Sequence, residues 1–212
     1  MGDQEPSDKR APGQDDADVR RAFDAGDYET AATLFIERHG NEIIGFLGSR
    51  LRNPTDAAEV FSVFAEDFWR GLPTFQWRAS IRGWAYTLAR NAAYRHRHGP
   101  ERARLQMTTM GSDKGRFAQA VDQLRTATKM HLRSEVKQQM RSLYRQLPDD
   151  DRSVLYLRID KRMPWTDIAR IMSGQGEAME DAEVKRWANR LRQRFHVIKH
   201  RLRKLAKAEG LL

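Results

Sequence analysis

From Tyr28 onward, apolar residues recur at steps of three and four, and no segment alternates apolar and polar residues with the period of a strand. Leu34, Phe35, Ile36, Ile43, Ile44, Phe46, Leu47 and Leu51 predict a helix that ends at Asn53-Pro54, because the residue before proline is pushed out of the helical region. Thr55 or Asp56 is the expected cap of the next helix, with Glu59 placed for a capping box. That helix carries Val60, Phe61, Val63, Phe64, Phe68 and Trp69 and stops at Gly71-Leu72-Pro73. Another is expected over 80–97, with Trp84, Ala85, Leu88, Ala89 and Ala92 inward.

The pattern breaks after residue 98. Residues 99–115 hold Gly and Pro at one end, Gly-Ser and Gly at the other, and no apolar period. Helical spacing resumes near Arg116, and Val136, Met140, Leu143 and Leu147 line one face up to Pro148. Short helices are expected over 151–160 and 167–172, then a loop over 173–180 and a long helix over 182–207. The expected fold is all-α: two small helical bundles, the second helix-turn-helix-like, joined by a flexible linker. The expected boundaries are 1–22 for a disordered acidic tail, 23–98 for the first bundle, 99–128 for a partly helical linker and 129–212 for the second bundle. The tail is rich in Asp, Pro, Gly and Gln and has too little apolar surface to offset chain entropy.

In the last helix Val184, Ala188, Leu191, Phe195, Ile198, Leu202 and Leu205 form one apolar stripe, and most other positions are cationic. Arg, Asn and Gln on such a helix suit base edges in a major groove, with the short helix before it packed across. The spacing also fits a heptad seam of about three repeats, but one charge sign all round would repel a second copy. An undirected basic helix is the third reading. About eight or nine residues separate the two helices, where a simple helix-turn-helix uses three or four.

Charge changes the picture further. The chain has 212 residues and a formal net charge of +9, and its sequence pI of about 10.1 points to a polyanionic partner, nucleic acid first. Residues 71–104 and 184–212 are net basic, and the segments before them are net acidic. Two polyanion-facing surfaces follow, unless the acidic segments meet protein partners. Roughly half of the aromatics lie in 61–94, where Phe75, Trp77, Trp84, Tyr86 and Tyr94 interleave with Arg78, Arg82, Arg90 and Arg95. Aromatic faces stack unpaired bases while arginines hold phosphates. A core helix with snorkelling arginines explains Trp84 equally well, whereas Trp77-Arg78 lies in a polar stretch where exposure is expected.

The exclusions are broad. A mean hydropathy of −0.77 leaves no membrane span, and the first 20 residues hold no apolar signal segment, so a cytoplasmic protein is expected. The absence of cysteine removes disulfides, thiolate metal sites and cysteine nucleophiles. His39, His96, His98, His131, His196 and His200 show no metal-ligand spacing beside carboxylates, and no glycine-rich phosphate loop occurs. Neither an enzyme nor a metal or other cofactor is expected.

Taken together, the two halves resemble the extracytoplasmic-function (ECF) sigma factors of bacterial RNA polymerase. The first rests on LFIERHGNEIIGFLGSRL, DAAEVFSVFAEDFWR and TFQWRASIRGWAYTLARNAAYRHRH, similar to that family's region two. The second rests on LYRQLPDDDRSVLYLRIDKRMPWTDIARIMSG, similar to region four. The resemblance implies a transcription initiation factor that opens promoter DNA. Asp56, Glu59, Val60 and Phe61 would dock on the clamp helices of the polymerase's largest subunit. Phe75, Trp77, Arg78, Ser80, Arg82, Trp84, Asn91, Tyr94 and Arg95 would hold the −10 element as single strand. Trp165, Thr166, Arg186, Asn189, Arg190, Arg192, Gln193, Arg194 and Lys199 would meet the −35 duplex, and region four would also contact the polymerase flap. Many members are held by an anti-sigma factor, and an active member is expected on the nucleoid. Ser62-Val63 stand where the family usually has Gln-Glu, Pro164 replaces a usual Ser, and the loop 173–181 is long for the family. A stand-alone dimeric helix-turn-helix regulator of transcription is the alternative.

Overall fold

The structure is a computed structural model, and it describes residues 16–99, 115–131, 143–144 and 146–209. Among these residues there are eight α-helices and no strand. They are α1 (Ala17–Asp24), α2 (Tyr28–Leu51), α3 (Pro54–Gly71), α4 (Ile81–His98), α5 (Gly115–His131), α6 (Asp149–Leu155), α7 (Trp165–Ser173) and α8 (Asp181–Ala208). A π-helical turn, Tyr156–Asp160, continues α6, and 3-10 turns lie at Leu72–Thr74 and Gly176–Ala178.

Caps explain the boundaries. Asp27 accepts from the Thr30 amide at the start of α2, and α2 ends with Arg52 in the left-handed region at φ 63°. The cap of α3 is Asn53, which accepts from the Thr55 amide, so neither Thr55 nor Asp56 has the role expected of it. Pro54 then takes the first helical position, where its missing N–H costs nothing. Ser80 caps α4 through the Gly83 amide.

The tail forms structure earlier than expected. α1 is helical from Ala17, Val19 is fully buried, and Arg38 on α2 pairs with Asp18 at 2.5 Å and Asp16 at 3.2 Å. Arg20 and Asp24 pair one turn apart. Composition counted these acids as solvating groups, whereas paired with α2 they anchor the helix. The tail's first fifteen residues lie outside the described part. So do residues 100–114 of the expected linker, as do Val136 and Met140.

α2 is the central element of the first half, packed by α1, α3, α4 and α5. Phe35, Phe46, Phe61, Phe64 and Phe68 are wholly buried, with Phe35 stacked on Phe68 at 4.6 Å. Gly40 lets Leu124 of α5 approach α2, because a Cβ there would collide with the leucine. In the second half α7 lies across α8. Ile168, Ile171 and Met172 meet Val184, Ala188, Leu191 and Ile198 in the core, and Trp165 meets Phe195 edge to face at 5.4 Å. The stripe read from the sequence is the buried face of α8, joined by half-buried Trp187.

The two halves share one continuous core. α6 packs on α2 and α7 packs on α4. The π turn brings the Tyr156 hydroxyl to the Glu42 carbonyl at 2.8 Å. Gly45 makes room, since a Cβ there would stand 2.7 Å from that hydroxyl.

Candidate nucleic-acid interface

The loop between α3 and α4 and the helix that follows carry the aromatic-basic segment, and their side chains divide sharply. Phe75 and Trp84 are core residues, 4% and 8% exposed, stacked on each other at 4.7 Å. They shape the loop from beneath and cannot take a base, which corrects the expectation for both. Trp77 is half-buried rather than fully exposed. Its ring sits 5.0 Å from Phe75 and 5.4 Å from Phe23, with the Arg20 guanidinium 4.3 Å over its face. The backbone there is left-handed at φ 59°, a conformation that costs a non-glycine residue roughly 1–2 kcal/mol. The indole N–H is buried with no acceptor. Arg78 is exposed beside it.

On α4 the expected DNA contacts are already engaged. Arg82 turns inward and forms a two-pronged pair with Glu42 at 2.6 and 2.9 Å. Burial alone would lower the Arg82 pKa, but the Glu42 carboxylate outweighs it and the value is raised. Ser80 donates to Asp167 at 2.9 Å, and Asn91 donates to the Gly174 carbonyl at 2.9 Å. Arg95 pairs with Asp67. Tyr94 is 52% exposed and stacks on His98 at 4.3 Å, and it is the outward aromatic of the segment.

On α3, Val60 and Phe61 are wholly buried, so neither can dock on a partner. Asp56 and Glu59 are partly exposed, Asp56 with His96 Nε2 at 3.8 Å. Only the two carboxylates of that quartet present a surface.

The outer face of α8 is the second basic surface. Arg186, Asn189, Arg190, Gln193 and Lys199 are exposed, as is Thr166 at the start of α7. Arg192 donates to Asn189 at 2.8 Å, and Arg194 is drawn back to Asp151 at 2.6 Å. The Lys199 ammonium lies 5.2 Å over Phe195. Trp165 is 7% exposed and packs under the Arg158 guanidinium, which removes it from any groove contact. The long loop is held by Arg170, which donates to the Met179 carbonyl at 2.7 Å and to Asp181 at 3.0 Å. With Met179 buried beneath it, the loop is a fixed spacer between α7 and α8.

Two charged clusters escaped the sequence reading. His39 contacts Asp16 at 2.8 Å and Glu42 at 3.1 Å, joining α1 to α2. Burial pulls the His39 pKa down, but the two carboxylates outweigh it and the value is raised. Glu42, also reached by Arg82 and Lys161, is held at about 2 despite burial. The second cluster joins the halves. Arg50 donates to Asp150 at 3.1 Å and Ser153 at 2.9 Å, Arg97 pairs with Asp149, and Arg152 donates to the Ser49 and Arg50 carbonyls at 2.7 and 3.0 Å. Burial and neighbouring arginines push Arg152 down to about 10. The run Asp149–Asp151 was the visible signal in the sequence, but Arg50 lies 100 positions from Asp150 and Arg97 lies 52 from Asp149. Among the described residues no group of His, Asp and Glu could hold a metal ion, and no helix is long and apolar enough to cross a membrane.

Residues 35–102, spanning α2 through α4, match the family described as Sigma-70 region 2. The RNA polymerase sigma-H factor of Pseudomonas aeruginosa is 27% identical over 158 residues, covering 72% of this chain and 76% of that protein. No solved structure matches the chain. Both matches bear out the likeness to RNA polymerase sigma factors and the all-α fold that goes with it.

Proposed function

We infer from the Sigma-70 region 2 in residues 35–102 that this chain is an RNA polymerase sigma factor acting in transcription initiation. In finer detail, it is of the ECF type and catalyses no bond chemistry. It lends core polymerase promoter specificity and the means to hold opened DNA. Asp56 and Glu59, partly exposed carboxylates of α3, face the clamp helices of the largest subunit, and the second half meets the flap. Trp77, Arg78 and Tyr94 take the unpaired −10 strand. Arg186, Asn189, Arg190 and Gln193 on α8 take the −35 duplex. Its place is the cytoplasm, on the nucleoid when active, and an anti-sigma factor is a further partner of the kind the family uses.

The observation that carries this reading is the coincidence of the family match with the aromatic-basic loop and α4. Energetics support it: unstacking costs a few kcal/mol per base step, and stacking on an aromatic side chain returns roughly 1–3 kcal/mol per base. The test is co-sedimentation of the full chain with sigma-free core polymerase in the absence of DNA. Co-migration as a 1:1 complex, lost with Asp56→Lys and Glu59→Lys together, is the expected result. Failure to bind core, with salt-sensitive duplex binding as a dimer, would replace the reading with a stand-alone helix-turn-helix regulator.

A further inference from the structure

We propose that the seam where α6 meets α2 and α4 is a binding site for a small, multiply charged oxyanion of the phosphate class, held by guanidinium groups that the neighbouring carboxylates leave in surplus. None of its residues is among those proposed above to take DNA, and the site stands whether or not the chain meets polymerase.

Positive charge gathers at the end of α2. Arg50 and Arg52 lie there, Arg90 and Arg97 come from α4, and Arg152 comes from α6. Asp149 and Asp150 are the carboxylates that meet them. Asp149 is shared by Arg52, Arg97 and Arg152, and Asp150 takes Arg50. Two carboxylates against five guanidiniums leave a surplus of three positive charges. Carbonyls at the end of α2 offset part of it: Arg152 donates to those of Ser49 and Arg50, and Arg97 to that of Arg50. A helix C-terminus carries roughly half a negative charge, so about 2.5 positive charges remain. The crowding is felt by the groups themselves. Arg90, Arg97 and Arg152 are all held below the usual guanidinium value, by burial first and then by the neighbouring arginines.

The donors point the same way as the charge. The Nε–H groups of Arg50 and Arg90 are both buried with no acceptor among the described residues, and Arg50 as a whole is 6% exposed. Buried donors without an acceptor are rare, and two of them in one cationic seam call for an anionic partner. Gly174 keeps room for Arg90, since a Cβ there would stand 2.8 Å from one of its nitrogens. The side chains of Arg52 and Asp150 are 48% and 42% exposed, so the seam opens to solvent on that side. Guanidinium forks match phosphate oxygens two at a time. A phosphate group also brings about −1.5 to −2 charges near neutral pH, close to the surplus. Chloride brings one charge and no second acceptor atom, which selects the oxyanion.

The probe is inorganic pyrophosphate, titrated into the full chain with ionic strength held constant by sodium chloride. Calorimetry is expected to show saturable binding of one anion per chain. The Arg90 Nε–H resonance, assigned by its loss in Arg90→Gln, is expected to shift along the same isotherm. Arg90→Gln is expected to weaken binding about tenfold. Asp150→Asn enlarges the surplus and is expected to tighten it about threefold, a gain that a purely structural ion-pair cluster would not give. Arg201→Gln removes an exposed charge from α8 and is expected to change binding less than about twofold. A single-stranded oligonucleotide is the second arm. If it shifts the Arg90 resonance and pyrophosphate does not, the phosphate is that of DNA and the small-anion site is overturned. The site is equally overturned by the absence of saturable pyrophosphate binding, by an Asp150→Asn chain that binds no more tightly, or by an Arg201→Gln loss as large as that of Arg90→Gln. Binding to core polymerase is read separately by co-sedimentation, so failure of one reading leaves the other in place.

Discussion

The Ser80 hydroxyl accepts from the Gly83 amide at 3.0 Å and donates to the Asp167 carboxylate at 2.9 Å. One side chain both starts α4 and ties it to α7, across 87 positions of sequence. Ser80→Ala is expected to lose the cap, at about 1 kcal/mol. The melting temperature should fall by roughly 2–4 °C for a chain of this size. Ser80→Asp keeps a capping oxygen but faces Asp167 with a second carboxylate, and is expected to loosen the contact between the halves. Calorimetry of the two variants separates these effects.

Glu42 collects Arg82, His39 and Lys161 around one partly buried carboxylate. Glu42→Gln leaves Arg82 without its counter-charge, and a loss of about 3 kcal/mol is expected from breaking such a pair. Urea denaturation with an unchanged m-value would confirm that the native state is otherwise preserved.

The same cluster sets a pH dependence with two opposite limbs. The folded pKa of Glu42 is lowered from 4.5 to about 2, so its stabilisation is complete above pH 4.5 and fades as pH falls toward 2. The folded pKa of Asp16 is also lowered, so its contribution is likewise lost on the acid side. That of His39 is raised from 6.5, so its contribution is complete below 6.5 and fades as pH rises through the folded value. The cluster is therefore most stabilising between pH 4.5 and 6.5. Thermal melts of the parent and of His39→Gln should differ most in this window, the alkaline limb flattening in the variant.

Phe61 and Glu59 lie two positions apart on α3 but face different surroundings, Phe61 wholly buried and Glu59 partly exposed. Phe61→Ala is expected to cost about 3–5 kcal/mol of stability. Glu59→Lys is expected to leave the melting curve within about 0.5 kcal/mol and to weaken binding to core polymerase. Parallel calorimetry and co-sedimentation distinguish a core position from a docking position.

On α8, Arg190 is exposed. Arg190→Ala is expected to weaken duplex binding and, if it holds a phosphate, to reduce the slope of log affinity against log salt by about 1. Fluorescence anisotropy across a salt series reads this directly. Arg194→Ala, which instead frees Asp151, is expected to change the slope less and stability more.

Local chemistry was enough to read most of the helix inventory. Apolar spacing set the inward face of α8, proline and glycine set the ends of α2 and α3, and Ser80 marked the start of α4, because each depends on neighbours a few positions away. The interleaved aromatics of residues 61–94 likewise drew attention to a segment that lies within the family match. What no local pattern could decide was which of those side chains face outward. Phe75 and Trp84 stack beneath the loop, Trp77 is capped by Arg20 and Phe23, and Val60 and Phe61 lie in the core. Composition cannot separate a ring that receives a base from a ring that packs on another ring, since both bury the same apolar surface. Nor could it pair Arg50 with Asp150 or Ser80 with Asp167. Such partners, 100 and 87 positions apart, find each other only when the chain folds back on itself, and burial then makes their pairing matter.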